Sequence, residues 1–566
     1  MQPGDSRSRR TIAVVATVVA GACTAVAIVV PIDSLAHAFA HPARIDAAGN
    51  LPLTTFAGAR AAKLAWTIGP FVLLALAFVI ARVVGTASEP PTPRPAPARS
   101  SVVTLALIVA LATVLRALRL SDSLWYDELA GLLGYSIHGP GVIVGNYFSQ
   151  ANHIASQLAI WASTELLGVN ELSVRLPAFL AGIATVPAAW ALGREARGEG
   201  TGLFAATAVA LMPVAALASC DARGYAFVIL FATLATWLLL RARRAGGEAL
   251  APLWWCAFAA VHALMVWTHL ASACVALGHG VLLAYDLASN RDRRGAAAGL
   301  VALVAAAALT LMLYAPALPD LVALRSQFTA RSGDEPTLLG PEGLHAILAW
   351  GGSWTWWATL PGALVALVGV VPTARDRRLR RAFALAALGG PIAVALALAG
   401  NSWLYARFLL FLVPATALLM AAGFATIARA GRLAVAVAAA AFALASATDM
   451  LRLPPRQPLR EAIVRAAELR AAARDTGPIG TIGLVDQVQL YYTEAAKLPV
   501  VDFGDRGKNL DAMLPSVRPR VIVMLYPSAV SDATKETLAK HGFAPAERLD
   551  GWIDWGKGAI ELWTRR

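Results

Sequence analysis

Charge is scarce in this sequence, and acid is scarcer than base. Charged residues fill 15% of 566 positions, with 35 Asp and Glu against 48 Lys and Arg. A soluble globular domain carries about a quarter charged residues, so an ordinary solvated surface is excluded for most of the chain. Cysteine is rarer still. Cys23, Cys220, Cys256 and Cys274 lie scattered in or beside apolar runs, with no CxxC spacing. That pattern implies neither a disulfide framework nor a zinc site. No short-period internal repeat is visible. What abounds is apolar: 58% of residues are hydrophobic and the mean hydropathy is +0.61. These values belong to the membrane class.

The formal net charge of +13 does not signal nucleic acid, because the arginines fall in short clusters between apolar runs. Such clusters read as topology determinants facing anionic lipid. Runs long enough to span a bilayer recur near 11–31, 65–84, 101–118, 176–193, 201–219, 225–240, 252–269, 270–287, 297–316, 355–372, 382–399, 404–422 and 432–449, about thirteen in all. The boundary at His269 and Leu270 is the weakest. The first run follows "MQPGDSRSRR" as in a signal peptide, but its length of about 20 residues suffices to span, so it reads as a retained helix.

With the N-terminus cytoplasmic, the even-numbered gaps should carry arginine. They do: Arg94 and Arg99, then "REAR" (194–197), "RARR" (241–244), "RDRR" (291–294), "RDRRLRR" (375–381) and "RAGR" (429–432). Three units follow. Residues 1–100 hold two helices and the Pro-rich cytoplasmic linker "GTASEPPTPRPAPARS", which look like an appended unit. Residues 101–450 form the main transmembrane domain. Residues 451–566 form a water-soluble, extracytoplasmic tail. In the tail, "LREAIVRAAELRAAAR" and "DATKETLAKHGF" read as helices, and "IGTIGLV", "RVIVMLY" and "AIELWT" as strands. The expected fold is a polytopic all-α membrane protein with a small C-terminal α/β domain. The tail shows no nucleophile elbow, P-loop or metal motif, and a structural or acceptor-guiding role suits it best.

"SLWYDELAG" (123–131) places Asp127 and Glu128 just past a span, on the outer side, behind Trp125 and Tyr126. Aromatics are common at membrane interfaces, and a solvated loop explains the acids as well as a site does. In an interfacial crevice, however, a carboxylate can accept a proton from a hydroxyl. "SCDARGYAF" (219–227) brings Asp221, Arg223 and Tyr225 to the same side. Asp221 and Arg223 can pair with each other or backbone, or Arg223 can receive a phosphate. "NHIASQLAIW" offers Asn152 and His153, a lone loop histidine being more often an interfacial polar group. "NSWLYARF" (401–408) carries Tyr405 and Arg407. That arginine can snorkel to headgroups or bind a lipid phosphate. "LRSQFTARSGDEPTLLG" (324–340), with Arg325 and Arg331, reads as a solvated loop able to cover a site. His262 and His269 share a helical face and do not make a metal site.

In order, "SLWYDE", "NH", "ELSVRLPAFLAGIATVPAAWALGR", "CDARGYAF" and "YARFLLFLVP" resemble the polytopic GT-C glycosyltransferases, the group of protein O-mannosyltransferases, aminoarabinose transferases and Rgt-type lipopolysaccharide sugar transferases. The match runs over about residues 101–425. The resemblance implies a sugar donor on a polyprenyl phosphate and an acceptor hydroxyl on an envelope glycolipid, polysaccharide or protein. It implies Asp127 as general base with Glu128 beside it, Arg407 near the donor phosphate with Arg223 and Tyr405, and Asp221 and Tyr225 near the active site, with inversion at the anomeric carbon. Where the family often has "NHP" or "PPL", this chain reads "NHIAS", and the residues before 100 lie outside the match. Members of the family differ in their need for metal, and with no compact Asp/Glu/His ligand set in this chain no metal or cofactor is expected. A transporter or flippase of lipid-linked precursors is the alternative, but such proteins place charges at mid-membrane, whereas these lie in outer loops. The Ala- and Arg-rich usage suits a GC-rich bacterial genome, so the expected location is a bacterial inner (plasma) membrane.

Overall fold

The computed structural model describes residues 17–18, 20–84, 95–246, 248, 251–328, 356–400, 404–483, 488–552 and 558–565. The start of the first apolar run, the Pro-rich linker up to residue 94, Arg331 with its loop, residues 401–403 of "NSWLYARF" and the last two residues of "IGTIGLV" lie outside these.

Among the described residues, ten helices are long and apolar enough to cross a membrane, or up to twelve if each of two bent pairs is one span. In a bilayer every backbone polar group must be satisfied internally, which leaves such apolar runs helical. Ten of the expected spans correspond to Leu53–Val84, Arg99–Ala117, Glu171–Ala196, Tyr225–Arg244, Ala251–Thr268, Leu270–Ala288, Arg293–Leu324, Arg377–Ala399, Ala406–Ala430 and Arg432–Arg452. The run at 201–219 is Glu199–Leu211 followed by Pro213–Ser219, bent by 63°. Pro213 lacks the N–H that would continue the helix and starts the second piece instead. The first run is Ala20–Val29, turned by 93° into Ile32–Phe39 across Pro31. The run at 355–372 is a shorter apolar helix, Leu360–Arg375. The break at His269 is real: its backbone is extended (φ −153°, ψ 117°) between the helices on either side.

The helices approach closely where side chains are small. A Cβ on Gly369 would strike the carbonyl of Leu419, and one on Gly423 would strike that of Val365, so the helices Trp356–Arg375 and Val413–Ile427 cross backbone to backbone. The N-terminal unit uses the same device. Gly58 abuts the Pro316 carbonyl, Gly69 abuts Met312, and Trp66 Nε1 donates to Met312 O at 3.1 Å. Leu53–Val84 is thereby packed along Arg293–Tyr314.

The 26-residue helix Glu171–Ala196 runs about 39 Å at 1.5 Å per residue and links the two ends of the bundle. Its last turn meets the arginine clusters, where Arg244 pairs with Glu195 at 2.9 Å, Arg243 with Asp286 at 2.6 Å and Arg197 with Asp376 at 2.9 Å. Its first turn meets the C-terminal domain, where Arg460 pairs with Glu171 at 2.8 Å.

That domain is a five-stranded sheet ordered β2-β1-β3-β5-β4, with β1 Ile479–Gly483, β2 Val500–Asp505, β3 Val521–Leu525, β4 Phe543–Leu549 and β5 Ile560–Arg565. β1 pairs in parallel with β2 and β3, while β5 is antiparallel to β3 and β4. β1 and β3 are buried along their whole length, as strands covered on both faces must be. The helices Leu459–Ala472 and Asp532–Lys540 stand where the periodicity places them. One apolar cluster joins this domain to the bundle: Leu124, Leu129, Leu132 and Ala222 pack with Leu459, Ile463, Val521 and Ile560.

Candidate active site

The site is built on a loop and a short helix held from both sides. Between Arg99–Ala117 and Tyr126–Gly134 the chain crosses the base of the C-terminal domain. Arg119 donates to the carbonyls of Leu453 and Pro454, each at 2.6 Å. Ser123 Oγ donates to Gln457 O at 2.7 Å, Leu124 N to Tyr492 Oη at 2.7 Å and Tyr126 N to Gln457 Oε1 at 3.1 Å. The helix Tyr126–Gly134 then starts, with both acids in its first turn, where the positive end of the helix dipole favours negative charge.

The two acids differ completely in surroundings. Glu128 reaches back to the Trp125 N–H at 3.1 Å, as a capping-box acid does. Its carboxylate also accepts Arg175 Nε at 2.8 Å, Arg175 Nη2 at 2.6 Å and Ala222 N at 2.7 Å, and its side chain is fully buried. Arg175 spends its remaining donors on the carbonyls of Leu120, Asp122 and Ser123. Asp127 keeps a quarter of its side chain exposed (23%) and faces two guanidinium groups, Arg223 Nη2 at 3.8 Å and Arg407 Nη2 at 3.9 Å.

Arg223 comes from the turn between Pro213–Ser219 and Tyr225–Arg244. It is held by long bonds to the carbonyls of Asp127 (3.3 Å), Ala151 (3.4 Å) and Gln150 (3.5 Å). Arg407 opens the stretch Ala406–Leu412; its guanidinium lies 4.4 Å from the Tyr405 ring centroid and 6.0 Å from that of Trp125. Tyr225 is buried, and its hydroxyl has no hydrogen-bond partner among the described residues; nor does Arg223 Nε. His153 Nδ1 accepts the Gly224 N–H at 2.9 Å, and its ring meets Tyr225 and His269 edge-on, at 5.4 and 4.9 Å. Burial, and then the neighbouring Arg223, His269 and Arg407, holds the His153 imidazole well below its ordinary value. Burial and the same two arginines bring His269 down to about 3. Both rings are neutral, so the positive charge here is that of the two arginines.

Asp221 sits just behind. It accepts Trp125 Nε1 at 3.1 Å and pairs with Arg456 Nη1 at 3.1 Å. Arg456 in turn lies 5.5 Å from the Trp125 ring and 4.7 Å from the Trp552 ring. Burial pushes the Asp221 carboxyl above its usual range, and Arg456 opposes that shift. Among the described residues, no three His, Cys, Asp or Glu side chains gather as a metal ligand set.

Residues 154–319 match the family model for dolichyl-phosphate-mannose-protein mannosyltransferase. Among solved structures, ArnT from Cupriavidus metallidurans in the apo state is 13% identical, covering 82% of this chain and 98% of that one, with a TM-score of 0.52. ArnT bound to undecaprenyl phosphate is likewise 13% identical, covering 82% and 97%, at 0.51. The oligosaccharyltransferase of Archaeoglobus fulgidus is 11% identical, covering 75% and 69%, at 0.48. No curated protein sequence matches the chain. The chain has the GT-C fold of these glycosyltransferases, and its residues 154–319 carry the sequence pattern of the mannosyltransferase family.

The fold gathers Asp127, Arg223, Arg407, Tyr405, Tyr225 and His153 into one cluster at the end of the bundle that carries the C-terminal domain. Glu128 and Asp221 stand one layer back, each matched by an arginine. Asn152 is turned away, its amide donating to the carbonyls of Ile143 at 2.8 Å and Asn146 at 2.7 Å. Sequence reading missed three members. Arg175 lay in plain view within "ELSVRLPAF", a cation inside an apolar run, which is costly unless paired. His269 belongs to the site, whereas His262 bonds to His279 at 3.0 Å within the bundle. Arg456 gave no signal, because its partner lies in a distant loop.

Proposed function

We propose that the transferase moves a sugar from a polyprenyl-phosphate donor to an acceptor hydroxyl of an envelope glycolipid, polysaccharide or protein, on the extracytoplasmic face of a bacterial inner membrane, with the N-terminus cytoplasmic. The observation that carries this reading is the partly exposed Asp127 carboxylate lying 3.8 and 3.9 Å from Arg223 and Arg407. An acid that is itself accessible can take a proton, and two fixed cations beside it can take the charge that leaves.

The step balances simply. Asp127 accepts the proton of the acceptor hydroxyl as its oxygen bonds to the anomeric carbon. The bond from that carbon to the phosphate oxygen breaks, and the lipid phosphate departs with the electron pair. Arg223 and Arg407 stabilise the departing anion, Arg223 with an Nε–H that has no other partner among the described residues. Tyr225 Oη and the Tyr405 ring flank the same space. Attack opposite the leaving group inverts the anomeric centre. A phosphate leaves as a stable anion, so no separate acid is required. Neutral His153 accepts the Gly224 N–H, and the His269 ring packs against it to shape the pocket. Glu128 and Asp221 orient the loop rather than touch substrate.

ArnT bound to undecaprenyl phosphate supports the class of donor by likeness of fold. The test compares envelope glycolipids and glycans by mass spectrometry in cells that carry the native chain, Asp127→Asn or no copy. The expected result is one sugar mass missing in both of the latter. A complete glycan profile with Asp127→Asn sinks the assignment of Asp127.

A further inference from the structure

Arg44 lies in the N-terminal unit, outside the region matched by the family model, yet two of its partners, Asn146 and Asp320, lie in the main domain. Its Nη1 donates to Asp320 Oδ2 at 2.5 Å and to Asn146 Oδ1 at 2.9 Å. Its Nη2 donates to Asp320 Oδ1 at 3.0 Å and to Thr54 Oγ1 at 3.0 Å. Asp320 also accepts the Tyr147 N–H at 3.0 Å, and Asn146 Nδ2 donates to the Phe39 carbonyl at 2.7 Å. The contact is close-packed: Gly145 abuts the Phe39 side chain and Gly141 abuts the Ala38 carbonyl, with no room for a Cβ at either.

From there the connection reaches the reacting groups in three further links. The Asn146 carbonyl accepts Asn152 Nδ2 at 2.7 Å. Asn152 follows Gln150 and Ala151, whose carbonyls hold the Arg223 guanidinium. Arg223 in turn faces Asp127. Those carbonyl bonds are long, at 3.4 and 3.5 Å, so the place of Arg223 depends on where the segment 146–153 rests. That segment rests on Arg44, Asp320 and Phe39.

The anchoring of the N-terminal unit in the bundle does not need Arg44. Gly58 against Pro316, Gly69 against Met312 and the Trp66 bond hold it along the helix Leu53–Val84, which begins nine residues after Arg44. Arg44 therefore adds register rather than attachment.

We infer that the N-terminal unit is a positioning element of the transfer site, and that Arg44, clamped to Asp320 and Asn146, sets the position of Arg223 through the segment 146–153. The inference rests on the proposed role of Arg223 in receiving the donor phosphate. Arg44 touches no substrate; it acts through another residue.

The test measures binding of a sugar-free C55 polyprenyl monophosphate to the purified full-length chain, together with its unfolding temperature in detergent. A misplacement of 1 Å costs up to about 100-fold in such sites, and a partial relaxation of one arginine should weaken binding about tenfold in Arg44→Ala and in Asp320→Asn. Arg44→Lys keeps the ion pair and should recover most of the loss. In an Arg223→Ala background, Arg44→Ala should cost nothing further, because coupled residues are non-additive. Unchanged affinity in Arg44→Ala overturns the proposal. So does a loss that adds fully to that of Arg223→Ala, or one that follows a lowered unfolding temperature and is not recovered by Arg44→Lys. If Arg223→Ala itself binds the lipid normally, the failure lies with the proposed role of Arg223 instead.

Discussion

The Glu128 carboxylate receives both arms of Arg175, at 2.8 and 2.6 Å, while Asp127, the next residue back, meets its arginines only at 3.8 and 3.9 Å. One acid is saturated and buried; its neighbour is left with capacity to exchange a proton. The same dipeptide thus separates a framework role from a chemical one.

Replacing each acid should separate these roles. Glu128→Gln strands the buried Arg175 charge and is expected to cost about 3–5 kcal/mol of stability, the penalty of breaking a buried pair. Asp127→Asn should leave the unfolding temperature near that of the native chain while transfer falls about 100-fold or more, as loss of a general base does. Thermal unfolding in detergent and a transfer assay on the same preparations check both.

Arg407 bears on the donor. A hydrogen bond to a charged group contributes about 1.5–3 kcal/mol, so Arg407→Ala should raise the donor KM by about 10- to 100-fold. Arg407→Lys keeps the charge but loses the planar stack on Tyr405, and should fall between. Competition by sugar-free polyprenyl monophosphate measures this without knowing the sugar.

The neutral histidines predict acid sensitivity. His153 and His269 have folded values below the ordinary 6.5, so beneath that pH the unfolded chain binds protons that the folded chain does not. Stability is therefore complete above about pH 6.5 and declines as pH falls, by up to about 1.4 kcal/mol per pH unit for each ring. His153→Gln can still accept the Gly224 N–H and should flatten the decline. Unfolding curves between pH 7 and 5 check the slope.

Arg456 should matter for the C-terminal domain. Arg456→Ala leaves Asp221 buried without its cation, at an expected cost of about 3–5 kcal/mol, and removes the stack between Trp125 and Trp552. Faster proteolytic cleavage after residue 452, with the bundle intact, is the expected outcome.

Much of this architecture was legible in the sequence, for physical reasons. A span must be apolar for some twenty residues, and the arginine alternation fixed which loops share a side, so Asp127, Arg223 and Arg407 could be assembled before any coordinates. β3, "VIVML", is almost wholly apolar, and β1 and β5 begin on buried isoleucines. β2 and β4 escaped notice because "VVDFGD" carries two aspartates and a glycine, and "FAPAERL" contains a proline and is half exposed. The bend at Pro213 was read as a straight span, since composition measures length and not direction. Arg175 and Arg456 were missed for a different reason: their meaning lies in a partner, and nothing local in "SVRLPAF" or "PPRQP" names Glu128 or Asp221. The N-terminal unit looked appended because its sequence lies outside the motifs, although Arg44 is bonded to Asn146 and Asp320 of the main domain.

The clasp on residues 119–126 has a consequence for how the molecule comes into being. Met450, Leu453, Pro454, Gln457 and Tyr492 supply the partners that fix that loop, and they are synthesised more than 300 residues after it. A nascent chain therefore exposes the loop 119–126 without its clasp until the last span, Arg432–Arg452, and the segment after it have been made. The loop that carries Asp127 takes its shape only once bundle and tail are both present, so the two fold as one body.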